Sequence, residues 1–134
     1  MKFAFLFFLS SISLFSLQVN IENKCLEVEV AGTEKLRAQG LQNRDYLEKS
    51  KGMLFIFPAP TYASFWMKDT YIDLSIAFFD EDKKLVQIEK MPIYKANQPL
   101  KTYKSIAPIK YAIEVNMGWF EENDIKVGDT LYYD

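Results

Sequence analysis

Residues 64–79, Ser-Phe-Trp-Met-Lys-Asp-Thr-Tyr-Ile-Asp-Leu-Ser-Ile-Ala-Phe-Phe, hold two strand patterns joined by a short charged turn. In the first, Phe65 and Met67 point one way while Ser64, Trp66 and Lys68 point the other, because side chains alternate along a strand. Asp69-Thr70 turns the chain, and Ile72, Leu74, Ile76 and Phe78 form the inward set of the next strand. A period of two in a stretch this rich in aromatic and branched residues predicts strands rather than helix, and it sets the class of the whole domain.

The same period recurs on both sides. Leu26, Val28 and Val30 alternate with Glu27 and Glu29, a strand with one wet face, and Gly32 then breaks it. Thr33 is placed to cap a short helix with Leu36, Gly40 and Leu41 on one face. Residues 53–57, Met-Leu-Phe-Ile-Phe, are a continuous apolar run expected to be a strand buried on both faces, which Pro58-Ala59-Pro60 should stop. Residues 80–84, Asp-Glu-Asp-Lys-Lys, suit a hairpin tip leading into a strand at 85–89. The segment 90–108, with Pro92, Pro99 and Pro108, reads as a long irregular excursion, and loops of that length are often functional. Alternation returns over 110–116, a short helix is expected over 119–123, and a final turn at 125–129 precedes a closing strand at 130–133. The predicted fold is α+β and mainly β: a small, strongly bent antiparallel sheet or barrel of about seven strands with two short helices.

At the amino terminus Lys2 is followed by an apolar run from Phe3 to Leu17 without acidic residues, the order of a secretory signal. As a helix that run would reach only ~22 Å, short of the ~30 Å hydrocarbon core, so cleavage is expected rather than anchoring. Ser11-Ile12-Ser13 fits the small-x-small rule best. The expected organisation is a signal over 1–17 and one globular domain over 18–134, exported to the periplasm or the outside, with an uncleaved anchor as the alternative. A net charge of −2 with scattered basic residues predicts neither nucleic-acid binding nor attraction to anionic lipid, and a membrane is a partner only if the signal stays attached. A lone cysteine, Cys25, makes no internal disulfide and is read as a structural residue in an expected monomer.

The chain has no histidine, which excludes Ser/His/Asp triads, Cys/His dyads and His-based zinc or iron sites. Asp80, Glu81 and Asp82 lack the spacing of a calcium loop, and no glycine-rich loop opens a helix, so no metal and no cofactor are expected.

Four motifs carry a resemblance to a known family: residues 52–57 (Gly-Met-Leu-Phe-Ile-Phe), 65–70 (Phe-Trp-Met-Lys-Asp-Thr), 114–119 (Glu-Val-Asn-Met-Gly-Trp) and 125–129 (Ile-Lys-Val-Gly-Asp). Together with Thr33, Arg37 and Gly40-Leu41 they make residues 28–131 resemble the uncharacterised domain-of-unknown-function family 192. The resemblance implies an often exported, single-domain bacterial or archaeal protein and implies no activity. Gln39 stands where that family usually has a second Arg, Gln42 where it has Met, Asp69 where it has Asn, and Asp73 and Ser75 where it has Pro and Asp.

The candidate ligand-binding residues are Arg37, Trp66, Lys68, Asp69, Asp73, Glu114, Asn116 and Trp119; no catalytic residue is assigned. Trp66 shares a face with Lys68 and Glu114 with Asn116, and an indole beside amide, carboxylate and ammonium groups suits a sugar ring, a peptide or another small polar ligand. Structural roles compete with that one: Glu114 pairing with Arg37 or Lys68, and Asn116 capping the helix that contains Trp119. The leading expectation is a noncatalytic accessory or binding module of the cell envelope. Its rivals are a hydrolase using paired carboxylates such as Asp73 and Glu114, and a structural partner of an envelope protein docking through 90–108.

Overall fold

The structure, a computed structural model, describes residues 15–134. Nine strands and two helices follow in the order β1 (Ser16–Ile21), β2 (Lys24–Ala31), α1 (Glu34–Gln39), β3 (Lys51–Thr61), β4 (Ser64–Trp66), β5 (Leu74–Phe79), β6 (Leu85–Met91), β7 (Thr102–Lys104), β8 (Ile109–Asn116), α2 (Trp119–Glu122) and β9 (Leu131–Tyr132). Seven of the strands form one curled sheet in the order β6-β5-β8-β3-β2-β1-β9, and β4 and β7 form a separate two-stranded ribbon. Every neighbouring pair in the main sheet is antiparallel except β2 and β3, which run parallel. That exception follows from α1, whose crossover brings the chain back to start β3 beside β2.

The central strands are buried on both faces. All six residues of β5 are buried, and they divide by alternation between two cores. On the inner face Ala77 and Phe79 pack with Tyr111, Ile113 and Val115 of β8, with Val19 and Ile21 of β1, and with Trp119 and Phe120 of α2. On the outer face Leu74, Ile76 and Phe78 pack with Met53 and Phe55 of β3, Ala112 of β8, Met67 and Tyr103. Glu114 belongs to this outer face, since its cross-strand partners are Met53 and Ile76. Gly52 allows the close approach there, because a Cβ at that position would run into the Glu114 carbonyl oxygen.

Local chemistry explains most ends and turns. Thr33 Oγ1 accepts from the Leu36 N–H at 3.2 Å to start α1, and Gly40, at φ 50°, ends it. Asp80 Oδ1 accepts from the N–H groups of Asp82 and Lys84, both at 2.9 Å, so the acidic tip between β5 and β6 is a turn that one carboxylate organises.

Several expectations are corrected. Residues 58–60 do not stop β3, which continues to Thr61. The ladder to β8 shifts register between Ile56 and Thr61, and pairing with β2 ends at Phe55, so no ladder asks Pro58 or Pro60 for an N–H. The sheet also holds a strand ahead of the first one expected: β1 pairs with β2 from Ser16↔Glu29 to Ile21↔Lys24. The signal expected over 1–17 lies outside the described residues up to position 14, and Ser16 and Leu17 are strand residues. Cys25 is exposed on the wet face of β2, where Gln18 Nε2 approaches its Sγ at 2.6 Å.

Candidate functional site

Three covers lie on the outer face of the sheet: α1 with its following turn, the β4–β7 ribbon, and residues 92–101 between β6 and β7, the segment expected as an irregular excursion over 90–108 being in part the end of β6 and the strand β7. The ribbon is held down by Phe65, whose ring meets Phe55 edge-on at 5.0 Å, Phe57 at 6.3 Å and Phe78 at 5.8 Å between centroids. Between α1 and β4 the cover is open. A cavity of about 380 Å³ lies there, lined on one side by Glu34, Arg37 and residues 38–42, and on the other by Ser64, Phe65, Trp66 and Met67, with Phe55, Phe57 and Glu114 lining it from the sheet. That volume is at the lower end of small-ligand pockets, and the lining mixes polar side chains (Glu34, Arg37, Gln39, Gln42, Ser64, Thr70 and Glu114) with apolar ones.

Glu114 is the unusual member. It is 5% exposed, and no hydrogen bond or ion pair to its carboxyl is found among the described residues. Burial pushes the carboxyl up to about 8, so near neutral pH it is chiefly protonated and can both donate and accept. The expected pairing with Arg37 or Lys68 is not made. Arg37 instead lies over the Phe57 ring at 5.1 Å and donates from Nη1 to the Ile56 carbonyl at 2.9 Å, which fixes its guanidinium against the groove wall.

The structure thus brings together three of the eight sequence-selected residues, Arg37, Trp66 and Glu114, around one cavity. Trp66 is 46% exposed at the rim, and Lys68 Nζ lies 5.5 Å from its ring centroid without lining the cavity itself. The other four serve the scaffold. Asp69, at φ 55°, occupies the left-handed turn after β4, and its carbonyl accepts from the Asn43 N–H at 2.7 Å. Asp73 Oδ1 accepts from the Ile93 N–H at 2.7 Å and so pins the excursion down. Because Asp73 stands outside the cavity, the carboxylate pair Asp73 and Glu114 is not assembled around it. Asn116 does not cap α2, whose N-cap is Gly118; its Nδ2 donates to the Leu47 carbonyl at 2.7 Å. Trp119 is 3% exposed, and its Nε1 donates to Ser50 Oγ at 3.3 Å.

Gln39, Gln42, Phe57 and Phe65 line the cavity and escaped the sequence selection. One signal for the first two was present: both depart from the family pattern, on the same short segment as Arg37. Ser75, the other departure of interest, is fully buried on the inner face, and its Oγ has no partner among the described residues. It does not face the groove. The excursion at 92–101 folds back on itself, with Tyr94 Oη donating to the Gln98 carbonyl at 2.9 Å, over a smaller hollow of about 190 Å³. Among the described residues no three acidic or sulfur ligands cluster, and no helix is long and apolar enough to cross a membrane.

A model of the uncharacterised family called domain of unknown function 192 matches residues 16–133. Among solved structures, a presumed transcription regulator from Sinorhizobium meliloti 1021 is 27% identical, with 91% of this chain and 96% of that one covered at a TM-score of 0.84. A protein of unknown function from Novosphingobium aromaticivorans DSM 12444 is 26% identical over 92% and 89% of the two chains, again at a TM-score of 0.84. Comparison with curated proteins gives no match.

Proposed function

Because the chain belongs to the domain-of-unknown-function family 192, which carries no activity of its own to transfer, we propose its function from the groove: an exported, noncatalytic binding module that takes a small polar ligand or segment between α1 and β4. One observation carries this reading. A carboxyl that is nearly fully buried, unpaired among the described residues and open to a cavity has been desolvated without compensation, at a cost of roughly 1–3 kcal/mol. A ligand that hydrogen-bonds Glu114 recovers that cost. Arg37 and Trp66 add a cation and an aromatic rim to the same opening.

The regulator label of the Sinorhizobium meliloti neighbour finds no support in charge, since this chain carries −2 and no basic stripe. The paired-carboxylate hydrolase loses its named second acid with Asp73 outside the cavity. Docking through the excursion has only the smaller hollow behind it.

Titration of the purified protein with amino acids, short peptides and oligosaccharides, read by tryptophan emission, tests the proposal. At least one class should give a saturable change that Glu114→Ala removes while the circular dichroism spectrum is retained. If no class produces a saturable change, the groove is not a binding site.

Export is part of the same proposal, and the position of β1 sharpens it. Cleavage after Ser13 leaves β1 whole, whereas cleavage after Leu17 removes the residues that pair with Glu29 and Val28. Amino-terminal sequencing of the extracytoplasmic protein is expected to find a start between residues 14 and 16. A soluble cytosolic protein beginning at Met1 would overturn export.

A further inference from the structure

We propose that the ligand is an extended peptide, which adds a strand to the free edge of β4 and lowers one basic side chain onto Glu114. The inference rests on the groove being a binding site and names the class of ligand. Its ground is the hydrogen-bond phase of the β4–β7 ribbon. The Ser105 N–H donates to the Ala63 carbonyl at 2.9 Å, so Ala63 and Ser105 form a hydrogen-bonded pair. Two residues along, Phe65 and Tyr103 are the next such pair, in the register Ser64↔Lys104, Phe65↔Tyr103 and Trp66↔Thr102. Ser64 and Trp66 are therefore the positions whose N–H and C=O groups turn away from β7. No partner for these four groups is found among the described residues.

Those groups face the groove. A cavity on one face of a strand touches alternate residues, yet this one is lined by Ser64, Phe65, Trp66 and Met67 in succession and by no residue of β7. It runs along the strand's edge. An unpaired edge beside an open groove is the arrangement to which an extended segment adds, with main-chain hydrogen bonds for affinity and a side-chain pocket for selection.

The position of that side chain follows from the pairing. A strand bonded to Ser64 and Trp66 places the residue opposite Phe65 on the same face as Phe65, which points toward Phe55 and the sheet. Glu114 lies on that outer face, between Met53 and Ile76. A long stem against Phe55, Phe57 and Leu41 ending in an ammonium or guanidinium complements a buried carboxyl that has no cation of its own, and Glu114, protonated in the free protein, releases its proton to water as that cation arrives. A sugar ring could meet Glu114 and Trp66, but it has no use for two outward backbone pairs one strand repeat apart.

The test uses fluorescein-labelled peptides of alternating Thr and Val with Lys, Gln or Leu at the central position, and chitotriose as the sugar probe. The Lys peptide should bind at least about tenfold tighter than the Leu peptide, the ratio worth one charge-assisted contact. Glu114→Gln should erase that preference. Methylation of the peptide nitrogens that bond to the Ser64 and Trp66 carbonyls should weaken binding about tenfold, and the amides of Ser64 and Trp66 should gain hydrogen-exchange protection. Binding that ignores both N-methylation and the central residue overturns the inference. If chitotriose perturbs tryptophan emission and that response is lost in Glu114→Ala, while no peptide binds, strand addition fails and the binding site survives. If neither probe binds, strand addition and the binding-site proposal fail together.

Discussion

The two faces of the curled sheet are built from the same strands and differ in how they are covered. On the inner face, curvature brings β1, β9 and α2 together over Ala77, Phe79, Ile113 and Val115. On the outer face the sheet is covered by separate pieces, and the gap between α1 and β4 leaves an acid, Glu114, in the row where Met53 and Ile76 are apolar. A barrel-like curl can seal only its concave side with its own strands. The convex side depends on inserted segments, and a seam between two insertions is where a polar group can stay buried and still be reached.

The largest effect expected from this contrast is on the inner face. Phe79→Ala should cost about 3–5 kcal/mol in urea unfolding, because the ring is fully buried and its neighbours come from several strands that cannot collapse into the void. A loss below about 1 kcal/mol would mean that the inner face is loosely packed and that the contrast is false.

The outer face should reveal itself through pH. Glu114 has its folded pKa raised from 4.5 to about 8 by burial, so between those values the folded state holds a proton that the unfolded chain releases. Its contribution to stability is thus fully present below about 4.5, declines as pH rises, and is gone once pH passes about 8. From about pH 5 to pH 9 the protein should lose on the order of a few kcal/mol, and Glu114→Gln should flatten that decline. A variant with the same slope as the parent would show that another group carries the pH dependence.

How far these features were legible depended on whether a local pattern or a distant contact decides them. The Thr33 cap, the alternation of β2, the burial of residues 53–55 of β3 on both faces and the Asp80 turn all follow from a few neighbouring residues, whereas β5 was read with one inward set, Leu74, Ile76 and Phe78, and proves buried on both faces. β1 was equally local, with Leu17, Val19 and Ile21 alternating against Gln18 and Asn20, but its start merges with the apolar run before it. The passage of β3 through Pro58 and Pro60 was not local, since it depends on both ladders lapsing there. Glu114 and Asn116 share a strand face in sequence and in space. What separates their roles is the loop at Leu47, which reaches Asn116 and leaves Glu114 open, and no spacing along the chain encodes that. The groove itself arises from where two insertions stop short of each other.

The smallest effect has the opposite sign and sits back on the inner face. Ser75 Oγ is a second buried polar group without a hydrogen bond among the described residues, between Val115 and Lys90 in the ladder and facing the apolar core. It differs from Glu114 in having no cavity to open into, so no ligand can satisfy it. Removing the hydroxyl takes away a desolvated group and no bond, and Ser75→Ala should leave stability unchanged or raise it by up to about 1 kcal/mol. If urea unfolding shows a loss above about 1 kcal/mol instead, the hydroxyl has a partner such as a buried water, and the inner face is less dry than its packing implies.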